Sequence, residues 1–305
     1  MVKMRERLAW ALLAALGLAV VASLTGVVRG GPLDPPGAPA PTLPQVEPRT
    51  PIRQPAAFPI VLNQPGSYFL TQDITGVAGK DGIEIAADNV TIDLNGFVLL
   101  GVAGSGSGII TPSPQDTIVV RNGEVRGWTG SGIDLYASVN ERLSQLVIDY
   151  NGDALSVVPN IKIGNHSSLT DCTATFSPAR GVEINSYSLV ENCVVNYNGR
   201  EGIAAFGSND RIMDNHVVGN GAAGASSGIW LDGLEGVAVG NTVEDNACCG
   251  IFASGTGGSV HGNTGRNNNG GGGNNFLVSP PCTGCDIGPS ESAAAGTHPG
   301  ANYSD

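Results

Sequence analysis

One short phrase recurs along the 305-residue chain: a glycine, a branched apolar residue, any residue, and usually a second apolar one. The copies begin at seven glycines, Gly82, Gly108, Gly132, Gly181, Gly202, Gly228 and Gly250. Their spacings are 26, 24, 49, 21, 26 and 22 residues, so the period is about 24 and the interval of 49 holds one degenerate copy, expected at residues 153–157. A period of this length with several short strands is typical of a parallel β-helix, in which each turn stacks on the one before.

One copy shows how a turn is built. Ile83 and Ile85 point to one side of a strand and Glu84 to the other, since side chains alternate along a strand. Residues 90–94 repeat the alternation, and Asn95–Gly96 then turns the chain, because both residues tolerate positive φ. The phrase returns in the same order each time, which favours parallel stacking over antiparallel hairpins. The predicted fold class is all-β, a solenoid of about eight turns.

Asparagines recur with the same period in two series. The members are Asn192, Asn215, Asn241 and Asn263, and then Asn198, Asn220, Asn246 and Asn268. Identical amides at equivalent positions of a stack hydrogen-bond from one turn to the next. We interpret the two series as structural ladders rather than as a calcium site.

The ends of the chain differ from the repeats. Lys3, Arg5 and Arg7 precede an apolar run over 8–28, which predicts an export signal or, if it is not cleaved, a membrane anchor. Either alternative predicts a secreted or cell-envelope location. The predicted organisation is a signal peptide or membrane anchor over 1–28, a Pro-rich linker over 29–57, a β-helix domain over 58–280 and a polar C-terminal tail over 281–305.

Charge restricts the partners. The formal net charge is −12, and no basic groove is apparent in the sequence. Nucleic acid and anionic membrane surfaces are therefore excluded as expected partners. A membrane contact is expected only through the N-terminal segment if it stays uncleaved.

Six cysteines are compatible with disulfides in an exported protein, and their pairing stays open. Cys172 and Cys193 are predicted to occupy one position on adjacent turns, since they are 21 residues apart. The remaining four are Cys248, Cys249, Cys282 and Cys285.

The residues from Pro65–Leu70 through Asn89–Gly96 resemble a known family. They are similar to exported bacterial proteins with right-handed parallel β-helix (PbH1) repeats, of the pectate-lyase-like superfamily, and the resemblance covers about residues 58–280. It implies a right-handed helix, a location outside the cytoplasm, and work on acidic polysaccharides by lyases, hydrolases or epimerases. Many members have no demonstrated activity, and a fold does not by itself imply a function.

Catalytic residues are not identified by this resemblance. The Asn-Thr-Asp, Asp-Asp and Gly-His-Gly motifs of polygalacturonase-type hydrolases are absent, as is the Asp-Pro-His motif of uronan epimerases. A lyase needs a basic residue near the sugar, and Arg180 and Arg200 lie just before the lead glycines of neighbouring turns. A hydrolase needs two carboxylates, for which Asp134, Glu183 and Asp232 are candidates. Whether the protein is an enzyme stays open; no cofactor is expected, and calcium binding also stays open.

Counting outward positions from the lead glycines places several aromatic and polar side chains on one outer face. The candidate binding residues are Tyr136, Glu183, Asn185, Phe206, Trp230, Asp232 and Phe252. Exposed rings flanked by carboxylates and an amide form a surface suited to sugars, although a loop or a neighbouring chain could equally cover them. The leading hypothesis is carbohydrate binding; the alternatives are a divergent polysaccharide lyase or hydrolase, and a non-catalytic structural or adhesive surface protein. The identity of the glycan and the oligomeric state stay open.

Overall fold

Each turn of the chain places one strand in each of three columns, and the strands of successive turns pair in parallel. The computed structural model describes residues 48–153, 157–222, 226–268, 275–278, 286–287, 290–292 and 302–304. The predicted signal segment over 1–28 lies outside the described residues, as do Cys282 and Cys285.

The first column is a ten-stranded sheet. Its strands are β2 (Ile60–Leu62), β5 (Ile83–Ile85), β8 (Ile109–Ile110), β10 (Ile133–Val139), β12 (Ile161–Asn165), β15 (Val182–Ile184), β18 (Ile203–Ala205), β21 (Ile229–Leu231), β24 (Ile251–Ala253) and β27 (Phe276–Val278).

The second and third columns form one twenty-stranded sheet, because two long strands, β9 (Ile118–Arg126) and β11 (Arg142–Asp149), run through both. The second column also holds β1 (Thr50–Ile52), β3 (Gly66–Leu70), β6 (Val90–Asp93), β13 (Ser168–Thr170), β16 (Leu189–Glu191), β19 (Arg211–Met213), β22 (Val237–Val239), β25 (Ser259–His261) and β28 (Asp286–Ile287). The third column also holds β4 (Ile74–Thr75), β7 (Val98–Leu100), β14 (Thr173–Thr175), β17 (Val194–Asn196), β20 (His216–Val218), β23 (Thr242–Glu244), β26 (Thr264–Arg266), β29 (Ser290–Ser292) and β30 (Asn302–Ser304).

This architecture confirms the predicted all-β parallel solenoid, with no α-helix in the described residues. The first column holds ten strands, so the chain makes about nine turns of the solenoid from the first strand to the last, one more than the expected eight or so. The additional turn begins with strand β2, which pairs in register with β5 and so continues the column at its N-terminal end. Along each strand the inward side chains are buried aliphatic residues, which form one continuous core.

The degenerate turn lies elsewhere than the expected residues 153–157. The strand that pairs with both neighbouring turns is β12, Ile161–Asn165, and it has no lead glycine. Asn160 takes the position of that glycine, since its carbonyl accepts the hydrogen bond from the Ile133 N–H. The position of the strand in this turn could therefore not be counted from a glycine.

Strands occur on both sides of the predicted domain limits of 58 and 280. Strand β1 lies within the segment 29–57 and pairs in register with β3, with Ile52 buried. At the other end, Asn302 of β30 is fully buried. The compact unit runs from Arg49 to Asp305.

Both predicted asparagine ladders are present as buried, hydrogen-bonded stacks. In one, the Asn198 Nδ2 donates to Asn220 Oδ1 (3.0 Å), and the stack continues through Asn246 to Asn268. In the other, Asn215, Asn241 and Asn263 are linked in the same way, and the last donates to Asn302 Oδ1 (3.1 Å).

One predicted ladder member was wrong. The position above Asn215 is held by Cys193, whose N–H donates to Asn215 Oδ1, whereas Asn192 is exposed and bonds to Asp171. Cys193 and Cys172 are both buried free thiols on adjacent turns, as their spacing indicated. Cys172 donates its thiol hydrogen to the Thr170 carbonyl (3.1 Å).

In the part of the chain that the structure describes, no helix is long and apolar enough to cross a bilayer.

Candidate functional site

The first column presents one row of outward side chains, here called the first-column face. Its members are Val61, Glu84, Ile110, Asp134, Lys162, Glu183, Ala204, Trp230, Phe252 and Leu277, each in register with the next. Most of them alternate with buried residues of the same strands, so their side chains point away from the core, whereas Ala204 is itself fully buried. Strands of neighbouring turns are about 4.8 Å apart, so the row is a nearly continuous surface.

The C-terminal part of this face is aromatic, and Phe206, which directly follows strand β18, adds a third ring to Trp230 and Phe252; the part of the face around these three rings is here called the aromatic region. The rings of Phe206 and Trp230 meet edge to face, with centroids 5.2 Å apart and planes at 81°. Trp230 and Phe252 are 6.3 Å apart and tilted by 45°. The Trp230 Nε1–H donates to Ser254 Oγ (2.8 Å), and the Ser254 hydroxyl donates to Asp232 Oδ1 (2.6 Å). This chain of hydrogen bonds fixes the orientation of the indole.

A cavity of about 370 Å³ opens beside the indole, here called the Trp230 pocket. Its lining residues are Glu201, Ser226, Ser227, Trp230, Cys248, Cys249, Phe252 and Leu277. A volume of this size lies in the range of small-ligand sites, which are mostly apolar with a few placed polar groups. Burial, together with the neighbouring Cys248, raises the pKa of the Cys249 thiol, so this thiol stays neutral.

Arg180 links two carboxylates at the edge of the aromatic region. Its Nε–H donates to Glu201 Oε2 (2.9 Å) and its NH1 to Glu183 Oε2 (3.1 Å). The guanidinium also lies over the Phe206 ring, 5.0 Å from the centroid. The three charged side chains are only 11–16% exposed. The hydrogen bonds of Arg180 therefore hold both carboxylates against the aromatic region.

Arg180 and Arg200, the two candidate basic residues, occupy different positions on neighbouring turns. Arg180 directly precedes its lead glycine, and the residue that directly precedes the next lead glycine is Glu201. Arg200 is one residue further back, with its N–H donating to the Ala179 carbonyl. Arg200 makes no ion pair among the described residues.

The N-terminal part of the face is charged. Asp134, Lys162 and Glu183 follow one another in register on three turns. Tyr136, 39% exposed, lies two residues after Asp134; burial and then the charge of Glu183 raise the pKa of its phenol. Asn185 is half-buried and lies two residues after Glu183. Asp134 and Glu183 thus lie on one face, whereas Asp232 belongs to the aromatic region.

Sequence reasoning missed three contributors to this site. Lys162 was missed because its turn lacks the lead glycine. Glu201 was missed because it precedes its lead glycine and so is not among the outward positions that were counted. Ser254 is at such a position, four residues after Gly250, but it was not chosen as a candidate. The signal for Glu201 was its place directly before Gly202, equivalent to that of Arg180 before Gly181.

A second aromatic surface, the corner stack, lies where the chain leaves the third column. Tyr150, Phe176 and Tyr197 stack in parallel, with centroids 4.9 and 5.6 Å apart and interplanar angles of 10° and 13°. All three rings are exposed, by 58%, 43% and 57%. Each of these residues has positive φ, from 54° to 55°. None of them belongs to the first-column face.

Within the described residues, no group of three or more His, Cys, Asp or Glu side chains is arranged to hold a metal ion.

Comparisons with known proteins give relatives in fold. A family described as the right handed beta helix region matches residues 101–269. Among solved structures, the Dettilon tailspike protein is 13% identical with a TM-score of 0.55, over 84% of this chain and 60% of the tailspike chain. The DFA-IIIase of Arthrobacter chlorophenolicus A6, crystallised with GF2, is 12% identical with a TM-score of 0.54, over 78% of this chain and 70% of its own. No curated protein matches the sequence.

Proposed function

The chain belongs to the right-handed β-helix family, and from that premise we propose that it binds a carbohydrate chain on its first-column face, centred on the Trp230 pocket. The match over residues 101–269 confirms the resemblance to right-handed parallel β-helix proteins that the sequence motifs indicated. One fold serves many functions, and identities of 12–13% relate these structures in fold alone. The ligand is therefore inferred from the side chains of the face.

The fixed indole of Trp230 is the observation that carries the proposal. Ser254 already satisfies its N–H, so the ring has its apolar surface, and no polar group, to offer to a ligand. Its neighbours Phe206 and Phe252 are tilted by 81° and 45°, so they do not cover it in a parallel stack. A sugar ring presents C–H groups on its faces, and these pack well on an aromatic ring held in this way.

Polar groups surround the aromatic platform where sugar hydroxyls would need partners. Asp232 lies next to the indole through Ser254, and Glu201 lines the pocket. Glu201 and Glu183 each use one oxygen, Oε2, to bind Arg180. Their other carboxylate oxygens remain to accept hydrogen bonds, which fits a site with few placed polar groups in an apolar lining.

A location outside the cytoplasm is part of the proposal. Its support is the sequence of the N-terminus, where Lys3, Arg5 and Arg7 precede the apolar run over 8–28. A glycan of the cell envelope or of the surroundings would then be accessible to the first-column face.

The proposal is tested by binding of the purified full-length protein to a broad panel of polysaccharides, with and without calcium. We expect selective retention of at least one glycan. For that glycan we expect Trp230→Ala to raise the Kd at least tenfold, which corresponds to about 1.4 kcal/mol. Tyr150→Ala is the matched control, since it removes an exposed ring from the corner stack, four turns away from Trp230 along the first column.

Thermal melting of each variant separates loss of binding from loss of folding. Phe252→Ala tests the same platform with a smaller truncation and should weaken binding as well. Unchanged affinity in a folded Trp230→Ala variant would contradict the proposal, as would absence of binding to every glycan. Incubation with the bound glycan, followed by analysis of released products, tests the alternative that the protein is a lyase or hydrolase.

A further inference from the structure

Arg180, at the edge of the aromatic region, is already paired with two carboxylates. Arg180 donates to Glu201 and Glu183 and has its face on Phe206, with only 16% of its side chain exposed. Two of its five N–H groups bind these carboxylates. A ligand carboxylate that reached the remaining N–H groups would still lie beside Glu183 and Glu201.

Lys162 and Arg200 also have acidic neighbours, although neither makes an ion pair among the described residues. Lys162 lies between Asp134 and Glu183 in register, about 4.8 Å from each strand. Arg200 directly precedes Glu201 in the chain. Lys162, the one cation in the described row of the first-column face, therefore has a carboxylate residue on each side.

The aromatic region itself carries negative charge. Glu201 lines the Trp230 pocket, and Asp232 is joined to the indole through Ser254. Asp232 is exposed and makes no ion pair among the described residues. A negatively charged sugar stacked on Trp230 would therefore meet two carboxylates and one guanidinium that is already bound. The repulsion between like charges discriminates against such a ligand.

From these contacts we propose that the ligand of the first-column face is an uncharged glycan and not a polyuronate. This rests on the proposed carbohydrate binding and names its substrate class. The apolar rings supply the stacking surface, and the carboxylates accept hydrogen bonds from sugar hydroxyls, which a neutral sugar provides in number. The sequence resemblance implied acidic polysaccharides, so the charges of this face lead away from that expectation.

The test compares each charged polymer with a form of the same polymer that lacks the charge. Polygalacturonate and alginate are each measured beside their carboxyl-reduced forms, in which every carboxylate is replaced by a hydroxymethyl group, together with a neutral glycan that the full-length protein retains. At low ionic strength we expect the reduced forms to bind at least tenfold more tightly than the parent polymers. Added salt should narrow this ratio, because it screens the repulsion.

Variants locate the discrimination on the face. The double variant Glu201→Gln and Asp232→Asn should shift the ratio of parent to reduced affinity at least fivefold toward the parent polymer. Asp245→Asn is the matched control, since it removes an exposed carboxylate at a corner outside the first-column face. That control should leave the ratio unchanged within twofold.

The outcomes separate this inference from the proposed function. Binding of a parent polyuronate as tight as that of its reduced form would overturn the inference and leave carbohydrate binding in place. A preference for a glucosamine polymer over its N-acetylated, neutral form would overturn the commitment to an uncharged ligand. Absence of binding to every polymer, charged or neutral, would overturn the proposed function as well.

Discussion

The aromatic region of the first-column face and the corner stack each contain three rings from successive turns, but the rings are oriented differently relative to one another. In the corner stack the rings are nearly parallel, at 10° and 13°, so each covers the face of the next and mainly edges point to solvent. On the first-column face the rings meet at 81° and 45°, so they do not cover one another in this way. The more exposed surface is therefore the one less suited to stacking a ligand. Ring orientation, and not exposure, is what distinguishes the proposed binding surface from the corner stack.

The backbone supports the same distinction. Tyr150, Phe176 and Tyr197 have positive φ, which costs bulky residues about 1–2 kcal/mol each. Stacking contributes about 0.5–1.5 kcal/mol per pair, so the rings offset part of the strain that their own positions create. Trp230 and Phe252 lie in regular strands, β21 and β24, and need no such compensation.

The largest expected effect on the corner stack comes from adding a side-chain carbon at Gly219, beside the ring of Tyr197. Gly219 has φ +67°, and a Cβ there would lie 2.7 Å from the Tyr197 ring. We expect Gly219→Ala to lower the free energy of unfolding by about 2–3 kcal/mol, since it adds ring displacement to the cost of positive φ. Glycan binding should stay within twofold of the wild type. Both are measured by urea denaturation and by titration with the glycan.

Gly262→Ala is the matched control for that change. Its φ is +62°, but nothing lies within 4 Å of the added Cβ. It should cost only the backbone penalty of about 1 kcal/mol. Equal losses in the two variants would mean that the ring over Gly219 contributes nothing.

A smaller effect comes from removing the middle ring of the stack. Phe176→Ala deletes two ring contacts and should lower the free energy of unfolding by about 1–2 kcal/mol without changing glycan affinity. Phe252→Ala should do the reverse, with weaker binding and a nearly unchanged melting temperature. If Phe176→Ala weakened binding as much as Phe252→Ala, the division between the two surfaces would be wrong.

The sequence could predict the first-column face because the lead glycine fixes the phase of each turn. Two residues after Gly181, Gly228 and Gly250 the side chain points outwards, which placed Glu183, Trp230 and Phe252 on one row. Counting fails where the glycine is replaced. The strand after Asn160 was therefore misplaced, and Lys162 was missed.

Contacts between turns were harder to predict, because one residue of offset changes the partner. Arg200 was counted as the neighbour of Arg180, but Glu201 occupies the equivalent position on the next turn and binds Arg180. The corner stack left a signal that was not used: Tyr150 and Tyr197 directly precede the buried asparagines Asn151 and Asn198. The angles that distinguish the two aromatic surfaces depend on side-chain packing and leave no trace in the repeat.

The hydrogen bond that holds the indole offers a finer test of ring orientation. Ser254→Ala removes the acceptor of the Trp230 N–H and separates the ring from Asp232. We expect glycan affinity to fall about threefold, consistent with loss of one hydrogen bond of about 0.5–1 kcal/mol. Ser254→Thr keeps the hydroxyl and should retain most of the affinity. An unchanged Kd in Ser254→Ala would mean that packing alone orients the ring.

The smallest expected effect is a pH dependence at the corner stack. Burial, and then the charge of Glu124, raises the pKa of Asp149, which directly precedes Tyr150. The folded state therefore holds the proton to higher pH than the unfolded state, and stability falls as the pH rises from the ordinary value of 3.8 through the raised pKa. Asp149→Asn should remove this loss, so it should stabilise the protein more at pH 7 than at pH 4, in urea denaturation at both values.

Glycan affinity should not follow that trend, because Asp149 lies on the third column. An equal effect at both pH values would mean that the fold does not raise the pKa of this carboxyl.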